Sequence, residues 1–382
     1  MNEEPASGRA RRGFQLFSIG GIRIIIDYSW FIVFFLVVWS LSAGYFPYRY
    51  SGESVTHYWI AGTFTALAFF LSILGHELSH SFMAIRSGIK IPSITLFLFG
   101  GVSQLSQEPH DPKTELKVAV VGPLSSFIFG LIAWLLSRQL VEASSPLLPA
   151  VFTYLAYINF AVGVFNLVPG FPLDGGRVFR AIWWWKTGSL NRATRVAADM
   201  GKGFAVLLMF LGALQIFAGS LLGGVWLIFI GMFLRGVAEQ SYQELVVKQS
   251  LQGVQVGEVM IRDPVTVPPD LSLKRLVSEY FMKHGYRGFP VVEGEKALGV
   301  VSVNNLGGIS EEQLSQKTVA DVLRPLDGDM VIAPEATLIE ALRKMGPAQV
   351  GRLLVLDGDR MVGMITKTGL VRFLEMRRIL KE

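Results

Sequence analysis

Six apolar stretches, each close to the length of a membrane-spanning helix, most constrain what this chain can fold into. A helix needs about 20 apolar residues to cross the ~30 Å hydrocarbon core of a bilayer. The stretches occupy residues 24–43, 57–83, 116–136, 150–168, 203–219 and 221–236. Hydrophobic residues make up 51% of the chain and charged residues only 17%, as is typical of a membrane protein. The sequence therefore predicts an α-helical polytopic membrane domain with about six transmembrane helices.

Basic residues are concentrated on one side of these spans. They cluster before the first span, between the second and third, and between the fourth and fifth, whereas the other loops hold only Arg49 and Arg138 near span ends. Because loops rich in lysine and arginine stay in the cytoplasm, both termini are expected there. Residues 1–23 then form a cytoplasmic basic segment. The net charge of +5 fits basic residues that face the anionic lipid of a bilayer.

A metal-binding pattern, His76-Glu77-Leu78-Ser79-His80, closes the second apolar stretch. Residues four apart share one face of a helix, so His76 and His80 can bind one ion. Glu77 is turned by roughly 100° from His76, which suits a general base beside that ion. An acidic side chain at mid-bilayer costs about 2.5–3.5 kcal/mol, so these groups are expected to have partners and a function. The metal most consistent with the spacing is Zn²⁺.

A second segment offers a third ligand. Catalytic zinc sites use three protein ligands, and this chain contains no cysteine. The best candidate is Asp174, in the sequence NLVPGFPLDGGR that runs from Asn166 to Arg177. Its prolines and glycines disfavour a regular helix, and irregular backbone at membrane depth is tolerated where protein buries it or where it lines a cavity. Arg177 and Arg180 act mainly as basic residues that set the orientation of the membrane helices. Their proximity to Asp174 leaves a supporting role at the site open.

Together the two segments resemble those of the site-2 proteases, a family of intramembrane zinc metalloproteases. In that family a His-Glu-x-x-His helix supplies two zinc ligands and the catalytic carboxylate, and an Asn-x-x-Pro-x-x-Pro-Leu-Asp-Gly-Gly segment supplies the third ligand. The resemblance implies these roles here: zinc ligands His76, His80 and Asp174, catalytic carboxylate Glu77, and substrate clamp or oxyanion donor Asn166. It also implies the plasma membrane of a prokaryote as the location.

Two further features of the membrane domain bear on this resemblance. The family's Gly-Pro-x-x-Asn feature on the third membrane helix reads GPLSS here, from Gly122 to Ser126, so serine stands where asparagine is frequent. Residues 91–105 are too short to span a bilayer as a helix and are rich in strand formers, which predicts a re-entrant β element. Its edge is expected to hold an unwound substrate by strand addition. The alternative is a structural hairpin that plugs the cytoplasmic mouth.

After residue 243 the composition changes to a soluble α/β pattern. Two similar units follow with a period of about 64 residues, each with a proline-containing start, a helix and two strands around a turn. They resemble a tandem pair of CBS (cystathionine-β-synthase-type) domains, which pack as a pseudo-symmetric module and often bind adenine nucleotides. The predicted organisation is a transmembrane zinc protease domain at 24–243, a linker at 244–255, and CBS domains at 256–310 and 311–382.

A nucleotide at this pair is expected to contact Ser302, Asn305 and Thr366. CBS domains that bind nucleotide commonly carry an Asp three residues after a Ser or Thr, where it binds the ribose hydroxyls. Asn305 and Gly369 stand at those positions, so neither unit has the carboxylate. Ligand sensing and a structural or dimerising role, as a homodimer, both stay open. Nucleic-acid binding is not expected, because no basic cluster with interleaved aromatic residues occurs.

The predicted activity is zinc-dependent hydrolysis of peptide bonds within or near the transmembrane helices of other membrane proteins. By resemblance the substrates include membrane-anchored transcription regulators. Regulation of cleavage by the CBS pair is one of the roles left open for that pair. The alternatives are a catalytically silent zinc-binding scaffold and a CBS-regulated metal transporter. An intact Glu77 argues against the scaffold, since structural zinc needs no base. A transporter needs a polar path, and outward of His76 the second span holds only scattered Thr and Ser.

Overall fold

The computed structural model describes residues 13–98, 100–103, 109–141, 145–251, 253–345 and 351–379. It divides into two compact units, of which the first ends at Leu245 and the second begins at Val246. Within the described residues, six helical segments are long and apolar enough to cross a membrane, namely Tyr28–Arg49, Val55–Arg86, Pro112–Gln139, Leu147–Asn166, Leu190–Phe217 and Leu221–Val247. The six predicted spans are thereby confirmed, although their bounds differ from the predicted ones, most of all in the fifth, which begins at Leu190, and the sixth, which ends at Val247.

Helices dominate the first unit. In chain order they are α1 (Tyr28–Trp39), α2 (Phe46–Arg49), α3 (Val55–Arg86), α4 (Pro112–Gln139), α5 (Leu147–Asn166), α6 (Asp174–Thr187), α7 (Leu190–Phe217) and α8 (Leu221–Leu251). A π-helical turn, Ser40–Tyr45, joins α1 to α2. Helix α4 begins sharply because the Asp111 side chain accepts hydrogen bonds from the next backbone amides and Pro112 stands at the first helical position. Helix α6 ends at Gly188, whose φ of 67° suits glycine.

A four-stranded sheet accompanies these helices, with the order β1-β2-β3-β4. Its strands are β1 (Gly13–Ile19), β2 (Ile22–Asp27), β3 (Ser93–Phe97) and β4 (Gly100–Ser103). Neighbouring strands run antiparallel except β2 and β3, which are parallel. The β element predicted at 91–105 is confirmed in β3 and β4, while residues 99, 104 and 105 lie outside the described chain. In the described sheet β4 is an edge strand.

The first two strands correct the expectation for the start of the chain. The sequence assigned residues 1–23 to a polar segment and residues 24–43 to the first span, whereas residues 13–27 form β1 and β2 and the helix begins at Tyr28. The residues before 13 lie outside the described chain. Ile22, Ile24 and Ile26 are buried, which is the two-residue period of a strand. A short apolar run does not by itself distinguish a strand from a helix, which explains the error.

The second unit contains a sheet of six strands, ordered β5-β6-β10-β9-β8, with β7 paired to β6. The strands are β5 (Gly288–Glu293), β6 (Lys296–Ser302), β7 (Arg324–Pro325), β8 (Val331–Ile332), β9 (Arg352–Asp357) and β10 (Arg360–Thr366). The helices are α9 (Val256–Val259), α10 (Leu273–Arg275), α11 (Met282–His284), α12 (Glu311–Gln316), α13 (Leu338–Met345) and α14 (Lys367–Ile379). Ala297 and Val300 of the first repeat pack against Leu354 and Met364 of the second. The predicted pair of α/β repeats is confirmed.

Candidate metal centre

Three side chains converge between α3 and the first turn of α6. His76 Nε2 lies 3.0 Å from Asp174 Oδ2, His80 Nε2 lies 3.2 Å from the same oxygen, and the two nitrogens are 3.2 Å apart. Two ligands of a tetrahedral zinc, each at about 2.0–2.1 Å from the ion, are separated by about 3.3 Å. The triangle therefore has the size that zinc requires. Both imidazoles are buried and Asp174 is half-buried, so water competes little for these ligands.

The second nitrogen of each imidazole already has a hydrogen-bond partner. His80 Nδ1 donates to the backbone oxygen of Val118 at 2.6 Å, and His76 Nδ1 lies 2.9 Å from Ser126 Oγ. A carbonyl oxygen only accepts, so the His80 proton is on Nδ1 and its Nε2 presents a lone pair. Lone pairs this close to a carboxylate oxygen need a proton or a cation between them. The donor set and its orientation thus fit a zinc ion.

Helix α4 supplies both of these partners and approaches the imidazoles at Gly122. A Cβ at Gly122 would lie 2.1 Å from His80 Nε2 and 2.7 Å from His76 Nε2, closer than real Cβ atoms come. Only glycine therefore allows this approach of α4. Ser126, which stands where the family frequently has asparagine, orients His76 by its hydroxyl group. The sequence indicated Gly122 and Ser126 only as parts of a family feature.

The segment that carries Asp174 has the irregular backbone that its prolines and glycines predict. Helix α5 ends at Asn166 and α6 begins at Asp174, so the carboxylate lies in a first helical turn, where negative charge is favoured. A Cβ at Gly175 would lie 2.3 Å from the backbone carbon of Leu167, and one at Gly176 would lie 2.4 Å from that of Gly170. The two glycines therefore let the segment fold back closely on itself.

Glu77 lies beside the three converging atoms without being one of them. Its Oε2 accepts a hydrogen bond from Ser103 Oγ at 2.8 Å, and Ser103 Oγ is 3.2 Å from Ser81 Oγ. In the described chain its other oxygen, Oε1, accepts no hydrogen bond. A Cβ at Gly101 would lie 2.4 Å from Glu77 Cγ, so the edge strand β4 passes directly against this side chain. Glu77 is thus oriented by one oxygen and has the other available for a proton.

A cavity of about 200 Å³ opens at this point. Glu77, His80, Ser103, Pro172, Asp174 and Arg177 are among the residues that line it. Asn166 is half-buried at the end of α5 and is not among the described residues that line the cavity. The structure therefore brings together four of the five predicted site residues. The clamp or oxyanion role of Asn166 stays a prediction.

One buried ion pair next to the site was not predicted from the sequence. Glu115, on α4, is fully buried and accepts a hydrogen bond from Arg180 Nε at 2.6 Å. Arg180, on α6, also lies over the ring of Phe171, 5.2 Å from its centroid. Glu115 is three residues before Val118, and Arg180 is six residues after Asp174. The pair therefore joins the helix that orients the histidines to the helix that carries the third ligand.

We expect Glu115→Ala to destabilise the protein by about 3–5 kcal/mol, because it leaves the Arg180 guanidinium buried without its carboxylate. Thermal unfolding of the detergent-solubilised protein measures the change, and metal analysis should show reduced zinc. Asp199→Ala is the matched control, since Asp199 pairs with Lys202 at an exposed position and should contribute no more than about 1 kcal/mol. Equal unfolding temperatures for Glu115→Ala and Asp199→Ala would contradict a structural role for the buried pair.

Comparison with known proteins places this site in a family. The model of peptidase family M50 matches residues 64–145 and 141–210, a region that includes Glu77 and the three converging residues. The zinc metalloprotease MJ0392 of Methanocaldococcus jannaschii is 32% identical over 371 residues, which cover 96% of this chain and 98% of the relative. This chain belongs to peptidase family M50. Its six apolar helices and its family make it a multi-pass membrane protein of metalloprotease type.

A second relative agrees with membership of the M50 family. Rip3 of Mycobacterium tuberculosis is 32% identical over 372 residues, which cover 97% of this chain and 94% of Rip3. The solved structure of the site-2 protease from Methanocaldococcus jannaschii is 30% identical, with a TM-score of 0.44, and covers 60% of this chain and 95% of that one. The CBS domain model matches residues 256–306 and 319–376, which confirms the tandem CBS pair.

Proposed function

We propose that this M50 peptidase hydrolyses peptide bonds within or near the transmembrane helices of other membrane proteins. In this proposal His76, His80 and Asp174 hold one Zn²⁺. The observation that carries it is Glu77, a carboxylate whose Oε1 accepts no hydrogen bond in the described chain, next to the triangle of His76, His80 and Asp174 and at the wall of a cavity. Zinc, when bound, lowers the pKa of a water molecule towards ~7 and polarises a carbonyl group.

Glu77 then acts as the proton carrier of the reaction. Its Oε1 accepts the proton of the attacking water, and the same proton passes to the nitrogen of the leaving amine. Ser103 donates to Oε2, which leaves Oε1 to take the proton. A structural zinc site has no use for such a group, so the arrangement supports catalysis over the silent-scaffold alternative.

The edge of β4 is the proposed binding surface for the substrate. A helical carbonyl is shielded by the next turn, so a transmembrane substrate has to unwind before its peptide bond is exposed to attack. In the described sheet β4 pairs only with β3, which leaves its other edge available for an added strand. Gly101 and Ser103 of this strand are the residues that contact Glu77. A strand added here would therefore run close to the catalytic carboxylate.

The location, the partners and the role of the CBS pair complete the proposal. We propose a prokaryotic plasma membrane with both termini in the cytoplasm, and substrates that include membrane-anchored transcription regulators.

At the CBS pair, Asn305 Oδ1 accepts from Ser302 N at 2.9 Å, and Thr366 Oγ1 accepts from Gly369 N at 3.0 Å. Asn305 Nδ2 and the Thr366 hydroxyl proton are still able to donate to a ligand, so nucleotide sensing and a structural or dimerising role both stay open. Titration with AMP and ATP tests the difference.

The activity is tested with purified detergent-solubilised protein and a panel of single-span membrane substrates. We expect cleavage inside the span, loss of at least about 100-fold in rate on zinc chelation, and recovery when Zn²⁺ is added back. Mass spectrometry of the fragments locates the cut bond. Retained zinc without cleavage would favour the scaffold, and zinc flux into protein-containing liposomes would favour the transporter.

A further inference from the structure

Arg177 brings a buried cationic donor to the catalytic cavity. It lies in the first turn of α6, three residues after Asp174, and lines the cavity with Glu77, His80 and Ser103. Its Nη2 atom is buried but makes no hydrogen bond to the described chain. An unsatisfied buried polar group costs about 1–3 kcal/mol, and more when it is charged. The missing acceptor, on a residue that also lines the cavity, points to a ligand bound there.

The next arginine of the same helix shows that α6 can satisfy such a group when it has a structural role. Arg180, three residues further on, donates to the buried carboxylate of Glu115. Arg177 forms no ion pair with any carboxylate in the described chain, although Glu77 and Asp174 line the same cavity. The guanidinium of Arg177 is therefore available for a substrate, whereas that of Arg180 is not.

We propose that Arg177 donates hydrogen bonds to the carbonyl oxygen of the scissile peptide bond and stabilises the negative charge that develops there. The inference rests on the proposed peptidase function. A guanidinium is permanently charged and presents its N–H donors in a planar fork, which suits an oxyanion. Asn166, the donor expected from the family resemblance, does not line the cavity in the described chain. Arg177 does line it, as does Glu77.

In the proposed hydrolysis, water first adds to the carbonyl group and the amine then leaves. The water oxygen forms a bond to the carbonyl carbon while Glu77 takes the water proton. The π electrons of the carbonyl move to its oxygen, where Arg177 donates to the resulting anion. The carbonyl then re-forms as the C–N bond breaks, and Glu77 gives the proton to the departing amine.

Arg177→Met tests the proposal because it removes the donors and keeps an unbranched side chain. We expect kcat and kcat/KM for single-span substrates to fall together by about 10²–10³-fold, with KM and zinc content unchanged. Arg177→Lys should recover part of the rate, since it restores the charge without the fork. Arg86→Met is the matched control, because Arg86 is exposed at the end of α3 and should retain wild-type kinetics.

Binding of a phosphonamidate peptide, whose tetrahedral phosphoryl group carries the charge of the transition state, gives a second readout. Arg177→Met should weaken this binding by about 10²-fold. When it is combined with Glu77→Gln, which prevents cleavage, Arg177→Met should leave the binding of the substrate itself unchanged. Wild-type affinity for the phosphonamidate together with unchanged kcat overturns the oxyanion role and leaves the peptidase function intact. Loss of zinc from Arg177→Met also overturns it, in favour of support of the metal site. Failure of the wild type to cut any substrate overturns the peptidase function itself, and the inference with it.

Discussion

Glu77→Gln should lower kcat for peptide cleavage by about 10²–10⁴-fold while zinc remains bound. The amide has nearly the shape of the carboxylate and can still accept the hydrogen bond that Ser103 donates. It cannot accept the proton of the attacking water, because an amide oxygen is far too weak a base. The three converging residues are untouched, so metal affinity should change little. Single-turnover cleavage of a single-span substrate, together with metal analysis of the same sample, measures both quantities.

Glu239→Gln is the control for this substitution. Glu239 is exposed on α8, and the same change from carboxylate to amide there should leave kcat as in the wild type. A Glu77→Gln protein that cleaves at the wild-type rate would show that another group carries the proton. A Glu77→Gln protein without zinc would instead show that Glu77 supports the metal, and its inactivity would then say nothing about base catalysis.

Gly122→Ala should reduce zinc affinity by about 10–100-fold, the loss typical of damage to the groups that support metal ligands. The new methyl group would fall 2.1 Å from His80 Nε2 and 2.7 Å from His76 Nε2, where the ion has to bind. Either the imidazoles rotate away or α4 retreats, and a retreat also removes the Val118 carbonyl and the Ser126 hydroxyl from the histidines. Competition with a chromophoric chelator measures the affinity, and peptidase activity should disappear in parallel.

Gly203→Ala is the matched control in the same unit. Gly203 lies within helix α7, and a Cβ there would meet nothing within 4 Å. Alanine is favoured over glycine inside a helix by up to about 1 kcal/mol, so this variant should keep its zinc and unfold at an equal or higher temperature. Full zinc occupancy in Gly122→Ala, measured at the same chelator concentration, would mean that the approach of α4 is not essential to the site.

The sequence predicts the six spans, and three of the residues that it proposes for the site converge in the structure, for physical reasons. Lipid requires long apolar helices, so hydropathy alone locates six of them. His76 and His80 are linked by the four-residue period of a helix, which any sequence displays directly. Asp174 is 98 residues from His76, and no local pattern joins them. The resemblance to the site-2 proteases supplies this link.

Other parts of the site leave no readable signal in the sequence. The partner of His80 is a backbone carbonyl, at Val118, and every residue has one. Glu115 and Arg180 are 65 residues apart, and each is an ordinary charge near the end of an apolar stretch until packing brings them together. The isoleucines of β2 were assigned in part to a transmembrane helix, because an apolar run of that length fits either structure.

Strand β2 connects the first described residues of the chain, through β3, to β4, the edge strand beside Glu77. It pairs in parallel with β3 from Arg23 opposite Ser93 to Ile26 opposite Leu96, and β3 in turn carries β4. The Ser29 hydroxyl also accepts a hydrogen bond from the Leu98 amide at 3.2 Å. Trimming everything ahead of Tyr28 would remove β2 and leave β3, which pairs with the Ser103-bearing strand β4, without its parallel neighbour. The residues ahead of Tyr28 therefore support the candidate site and should be kept when the protein is shortened.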